Sequence, residues 1–163
     1  MKTDRAEAYR RALEEIRAVT EGESDAIANL ANAAAVLFET LPVSWVGFYR
    51  VSGGGLVLGP FQGRAACVRI ARGRGVCGSA WERGETLVVP DVHEFPGHIA
   101  CDPSSRSEVV IPLRDPSGAV WGVLDIDSRG VDDFGEDDKA ALEPIARLLE
   151  EVVARDAGFL RER

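Results

Sequence analysis

Two aspartates at alternate positions in "VLDIDS", Asp125 and Asp127, give this chain its first sign of chemistry. Residues two apart on a strand project from one face, so both carboxylates point one way while Leu124 and Ile126 point the other. Taken alone, such a pair is equally the mark of a solvated strand face. Glu108, near the start of the preceding apolar run "SEVVIPL", adds a third carboxylate if the two runs form a hairpin. Carboxylates grouped in a partly dry cleft cannot all ionise cheaply. At least one then holds its proton near neutral pH and can act as a general acid toward a weakly basic oxygen.

Three thiols are candidates to work beside them. Cys101 lies in the polar loop of "FPGHIACDPSSRSEVVIPL", an unusual setting for a residue that mostly hides in cores. As a thiolate it would be a nucleophile, although nearby carboxylates would raise its pKa unless one is protonated or a backbone dipole compensates. Cys67 alternates with apolar residues in "AACVRI" and reads as a buried strand residue. Cys77, in "GRGVCGSA", sits beside an expected helix N-terminus, where the dipole would lower its pKa. His93, His98 and Cys101, with Cys67 or Cys77, could offer metal ligands, but their spacing matches none of the common paired zinc patterns. No metal is expected, and the histidines read as loop imidazoles. Trp45 and Tyr49, four apart on a strand, share a face and either fill the core or wall a small apolar pocket for a methyl-bearing ligand.

The elements that must position these residues follow from periodicity. Ala8, Ala12, Leu13, Ile16 and Val19 mark a first helix, broken by "TEGES". A second runs from Ser24 as N-cap through Ile27, Leu30, Ala34, Leu37 and Phe38, ending before Pro42. The β-rich runs "VSWVGFYRV", "GLVLGPFQG" and "AACVRIA" predict an antiparallel meander, and "GVCGSAWERG" one or two helical turns. "ETLVVPDV" reads as a strand and 91–105 as an ordered loop. "SEVVIPLRD" and "GAVWGVLDIDS" form a hairpin through "DPSG". A last helix from Glu136 to Arg155 carries Leu142, Ile145, Leu148, Leu149, Val152 and Val153 on one stripe, with Pro144 expected to kink it or mark its first turn. The predicted class is α+β, with helices packed on one face of a six-stranded antiparallel sheet.

A chain of 163 residues is long enough for one domain with its own core. A net charge of −8 works against binding a phosphate backbone, so no nucleic-acid partner is expected, and "RIARGRG" reads as a solvated turn. No apolar run approaches a bilayer span. The charged start, "MKTDRAEAYRRALEEIRAV", lacks the apolar core of a secretory signal, which suggests a cytoplasmic protein. Three cysteines in a reducing compartment then mean inert thiols or transient redox chemistry.

Together, "WVGFYR", "LVLGPFQGRAACVRIARGRGVCG", "DVHEFPGHIACDPSSRSEVVIPL" and "GVLDIDS" closely resemble the free methionine-(R)-sulfoxide reductases, which are GAF-domain enzymes. The resemblance runs from the second helix to the last. It implies a single GAF domain over 1–163, with a six-stranded antiparallel sheet flanked by N- and C-terminal helices, as a homodimer. It implies reduction of free L-methionine-(R)-sulfoxide to L-methionine, with oxidative-stress response as the setting. Cys101 matches the cysteine that attacks the sulfoxide sulfur and becomes a sulfenic acid. Cys67 matches the one that condenses with it into a redox-active disulfide, and Cys77 a third, auxiliary one. Glu108, Asp125 and Asp127 match the acidic residues that bind the substrate amine and polarise or protonate the sulfoxide oxygen. Trp45 and Tyr49 match the aromatic wall. No bound cofactor is implied; thioredoxin or a similar dithiol would be the reductant. The alternative is a non-catalytic, ligand-sensing GAF module.

Overall fold

A computed structural model describes residues 2–99 and 101–163. Its elements are α1 (Lys2–Val19), α2 (Ala26–Thr40), β1 (Trp45–Ser52), β2 (Gly55–Gln62), β3 (Arg69–Ala71) and α3 (Gly75–Arg83). There follow β4 (Leu87–Val89), a 3-10 turn at Val92–Glu94, β5 (Ser107–Arg114), β6 (Val120–Ser128), α4 (Glu136–Ala154) and α5 (Ala157–Arg161). The strands form one six-stranded antiparallel sheet in the order β3-β2-β1-β6-β5-β4.

Alternation along the strands gives this sheet two faces of different character. One packs on α1, α2 and α4: Ile16, Leu30, Leu37, Leu142 and Leu149 from the helices meet Val46, Phe48, Val109, Ile111, Leu124 and Ile126 from the sheet. Each such side chain contributes about 1.5–3 kcal/mol on leaving water. Val19 and Ile27, counted in the helical stripes by periodicity, are exposed. Polar contacts lock the helical layer: the Tyr9 hydroxyl donates to Asp138 at 2.9 Å, and the Arg5 guanidinium donates to the Asp133 carbonyl at 2.8 Å.

The other face carries α3, so the expectation of helices on one face alone is corrected. Trp45, Tyr49, Leu56, Ile70, Val110 and Val123 from the strands pack there with Val76, Cys77 and Ala80 of α3. Gly78 permits the close approach, because a Cβ there would lie 2.5 Å from the Ala71 carbonyl oxygen. Local boundaries shift as well. The N-cap of α2 is Asp25, whose carboxylate accepts the Ala28 N–H at 2.9 Å, rather than Ser24. β3 is shorter than the run "AACVRIA", leaving Ala65 to Val68 as loop, and α5 carries no apolar stripe from which to predict it. Pro144 stands well inside α4, which runs on to Ala154, with three acidic residues in its first turn.

Candidate active site

Strand register brings the three carboxylates together. Glu108 on β5 faces Asp127 on β6, which faces Trp45 on β1; one row along, Val110 faces Asp125, which faces Gly47. Residues two apart share a side of the pleat, so all of these lie beneath α3. Cys77, in the first turn of α3, points down onto them, its Sγ 3.8 Å from Glu108 Oε1.

Burial and mutual repulsion dominate the electrostatics. Glu108 and Asp125 are each only 6% exposed, and desolvation raises both carboxyl pKa values. Asp125 and Asp127 push Glu108 further up, and Asp127 is raised by desolvation and then by Asp125. The cluster therefore holds protons where isolated carboxylates would be ionised. Cys77 is driven well up by burial, then by Asp125, Glu108 and Asp127. The expectation that a helix N-terminus lowers its pKa is thus corrected: burial of the thiol first, and then the neighbouring acids, outweigh the dipole.

An aromatic wall bounds the cleft. Trp45 stacks on Tyr49 and Phe61 with centroids 6.1 and 5.4 Å apart. Gly47 makes room for the indole, since a Cβ there would collide with both Trp45 and Phe61. The wall also holds a loop: Trp45 Nε1 donates to the Arg64 carbonyl at 3.0 Å, and the Tyr49 hydroxyl donates to the Cys67 carbonyl at 2.8 Å. Cys67 is thereby presented to Cys101, and the two form a disulfide with Cα atoms 5.4 Å apart. Cys77 is the remaining free thiol.

The Cys101 side comes from the long loop, which is tied down at its base. The Val92 N–H donates to the Arg106 carbonyl at 2.7 Å, and the Arg106 N–H donates to the Ser128 carbonyl at 2.8 Å. Beside the disulfide, the Asp102 carboxylate accepts the Ser104 N–H and hydroxyl at 2.9 and 2.7 Å, and both bonds lower its pKa. The cleft so formed encloses about 560 Å³, its open mouth included, between Trp45, Tyr49, Cys77, Cys101 and the three carboxylates.

Sequence reasoning singled out these residues but missed other lining groups: Arg64, Arg74, Ile99 and Ser105. Arg74 belongs to the segment read as a solvated turn; it is exposed yet lines the mouth, while Arg72 lies over the Trp81 ring at 5.3 Å. Ser105 is buried with its hydroxyl unpartnered, and nothing in its local pattern marks it. Of the histidines, His98 lines the cleft with Nε2 buried and unpartnered, whereas His93 is exposed. Neither stands with Cys101 as a metal set, because that sulfur is consumed in the disulfide.

The chemistry available is a reversible dithiol–disulfide pair beside a proton-holding acid cluster and an apolar wall. Comparison with known proteins gives the same picture. A GAF domain is matched over residues 25–153. The Bacillus subtilis protein YtsP is 50% identical over 93% of this chain and 94% of its own length. Free methionine-R-sulfoxide reductase of Escherichia coli is 47% identical over 86% of this chain and 85% of its own. A crystal structure of free methionine-R-sulfoxide reductase from Neisseria meningitidis, in complex with its substrate, superposes with a TM-score of 0.91 at 48% identity, covering 94% of this chain and 93% of that one.

Proposed function

We propose, on the premise that the chain belongs to the free methionine-(R)-sulfoxide reductases of the GAF-domain family, that it reduces free L-methionine-(R)-sulfoxide to L-methionine by thiol chemistry at this cleft. The observation that carries the reading is the Cys67–Cys101 disulfide placed against Glu108, Asp125 and Asp127.

In the reduced protein, the Cys101 thiolate attacks the sulfoxide sulfur while a protonated carboxyl of the cluster delivers its proton to the oxygen. The sulfur–oxygen bond of the substrate breaks, the oxygen passes to Cys101 as a sulfenic acid, and methionine leaves reduced by two electrons. Cys67 then attacks Cys101, water departs, and the disulfide remains. A dithiol such as thioredoxin reduces it, returning a proton and an electron to each sulfur. No prosthetic group takes part.

The acid cluster supports recognition of the free amino acid. A substrate ammonium entering among the three carboxyls, two of them buried, relieves their repulsion, so one ionises to pair with it while another keeps the proton that the oxygen needs. Methionine within a peptide has no ammonium to offer. Trp45 and Tyr49 form the wall for the methyl end. Cys77, its pKa raised, keeps its proton and stays auxiliary. The reading extends to one GAF domain over 1–163, acting as a homodimer in the cytoplasm.

The test is a coupled assay with thioredoxin, its reductase and NADPH. NADPH consumption is expected with the free R epimer and not with the S epimer or peptide-bound sulfoxide; the reverse pattern overturns the assignment. Mass spectrometry after substrate without reductant should show the Cys67–Cys101 bond, and a Cys77–Cys101 bond instead would move the resolving role to Cys77.

A further inference from the structure

Cys77 has no step in the reaction above, yet it is buried with its sulfur aimed at two buried carboxylates. We propose that Cys77, Glu108 and Asp125 form a binding site for a thiophilic divalent cation, zinc or cadmium, within the cleft, where the cation competes with substrate. Ligand type, spacing and an unmet polar group carry this inference.

A thiolate with two carboxylates is a donor set that zinc accepts. Zinc lies about 2.3 Å from sulfur and about 2.0 Å from oxygen, so a tetrahedral angle puts the two donors about 3.5 Å apart. Cys77 Sγ and Glu108 Oε1 are 3.8 Å apart, and one donor atom from each of the three residues lies within 4.8 Å of the others. Small rotations of the two carboxylates close the remaining gap.

The second observation is Asp125 Oδ1, buried and without an N–H or hydroxyl donor on a residue only 6% exposed; the groups that hydrogen-bond the Asp125 side chain are Glu108 and Cys77, the other two members of the cluster. An acceptor left unmet in a dry site calls for a donor or a cation. Among the described residues, no Lys or Arg forms an ion pair with Glu108, Asp125 or Asp127, although Arg64 and Arg74 line the same cleft. Loading the site releases the thiol proton to solvent and changes no oxidation state. The fourth coordination position opens on the cleft, for water or an amine. Competition with substrate rests on the functional reading above; the cation site itself does not.

The oxidised chain makes a clean test, because Cys67 and Cys101 are held in the disulfide and any thiolate–metal band must come from Cys77. Cadmium titrated into the oxidised full chain is expected to raise a thiolate-to-cadmium charge-transfer band that saturates at one cation per chain. Cys77→Ser should abolish the band. Glu108→Gln keeps the thiol and should weaken zinc binding by about tenfold or more in calorimetry. Circular dichroism follows the fold of both variants, and Glu108→Gln decides the matter if Cys77→Ser does not fold. The site is overturned if the oxidised wild type shows no band, or if Glu108→Gln binds zinc as tightly as the wild type. Neither readout needs turnover: a chain that binds cadmium through Cys77 but does not reduce the sulfoxide keeps this site and loses the functional reading.

Discussion

The two faces of one sheet are built to opposite rules. Leu124 and Asp125 are chain neighbours on β6, both buried, and the pleat sends them to opposite sides. Leu124 joins a closed apolar layer with the helices, where shape and burial are all that is asked. Asp125 joins an acid cluster beneath α3 whose carboxyls resist ionisation and leave an oxygen unpartnered. The helical face supplies stability, and the other spends part of it to keep polar groups dry and ready for a ligand. A period of two is enough to separate the jobs.

The largest effect expected is on the reactive face. Cys101→Ser should lower kcat/KM by about 10³-fold or more in the coupled assay, as loss of a nucleophile does. Under reducing conditions its unfolding free energy should stay within about 0.5 kcal/mol of the wild type, because Cys101 sits outside both apolar clusters. Near wild-type turnover would remove the loop thiol from the mechanism and with it the contrast between the faces.

Leu124→Ala tests the opposite face. Deleting this buried side chain should cost about 2–5 kcal/mol in urea unfolding while leaving kcat per folded molecule unchanged within about twofold. A fall in kcat without a fall in stability would mean that the helical layer tunes the cleft directly.

This division was legible where chemistry follows local period. The alternation of Leu124, Asp125, Ile126 and Asp127, and the nearness of Glu108 across a hairpin, are facts of strand geometry that a sequence displays. The helical stripes were legible for the same reason, except at Val19 and Ile27, where a stripe runs past the end of its partner surface. The disulfide was not: Cys67 and Cys101 are 34 residues apart, and only the family resemblance joined them. Nor was the setting of Cys77. A sequence shows the helix start beside it, whereas the burial that raises its pKa, and the carboxylates that add to it, come from packing against β5 and β6. Arg64, Ser105 and His98 reach the cleft on loops, which carry no period to read.

Asp125→Asn should change stability less than Leu124→Ala, and in the other direction. The Asp125 carboxyl pKa is raised in the fold, so its favourable contribution is fully present below the ordinary value near 3.8 and is lost as pH rises through the folded pKa. At neutral pH the wild type bears that loss and the amide does not, so the variant should be more stable by about 1 kcal/mol. The gain should shrink as the pH falls toward 4. Urea midpoints across pH check this, and an advantage that persists unchanged at low pH would mean packing rather than charge is responsible. The same variant should lose turnover, which makes the opposition within one hairpin explicit.

The smallest effect belongs to the turn of that hairpin. Asp115, between β5 and β6, accepts the Ser117 N–H at 2.8 Å, the Ser117 hydroxyl at 2.6 Å and the Ala119 N–H at 3.1 Å, and pairs with Arg163. The Ser117 hydroxyl, then Arg163, push its pKa down to about 2. A depressed carboxyl contributes stability above its ordinary pKa and loses it as pH falls through the folded one, so here the contribution is present at neutral pH, declines below about pH 4 and is lost as pH falls through about 2. Asp115→Asn should therefore destabilise by less than about 1 kcal/mol at neutral pH and by progressively less as pH falls below about 4, with kcat unchanged. One hairpin thus holds two aspartates whose stability profiles slope oppositely. The one at the turn is held ionised by donors the chain provides, and the one on β6 is buried beside the acid Glu108 and the thiol Cys77 with no cation paired to it among the described residues. A shared sign in the two profiles would mean that Asp125 is already satisfied from within the fold, leaving its cleft no electrostatic reason to bind an ammonium or a cation.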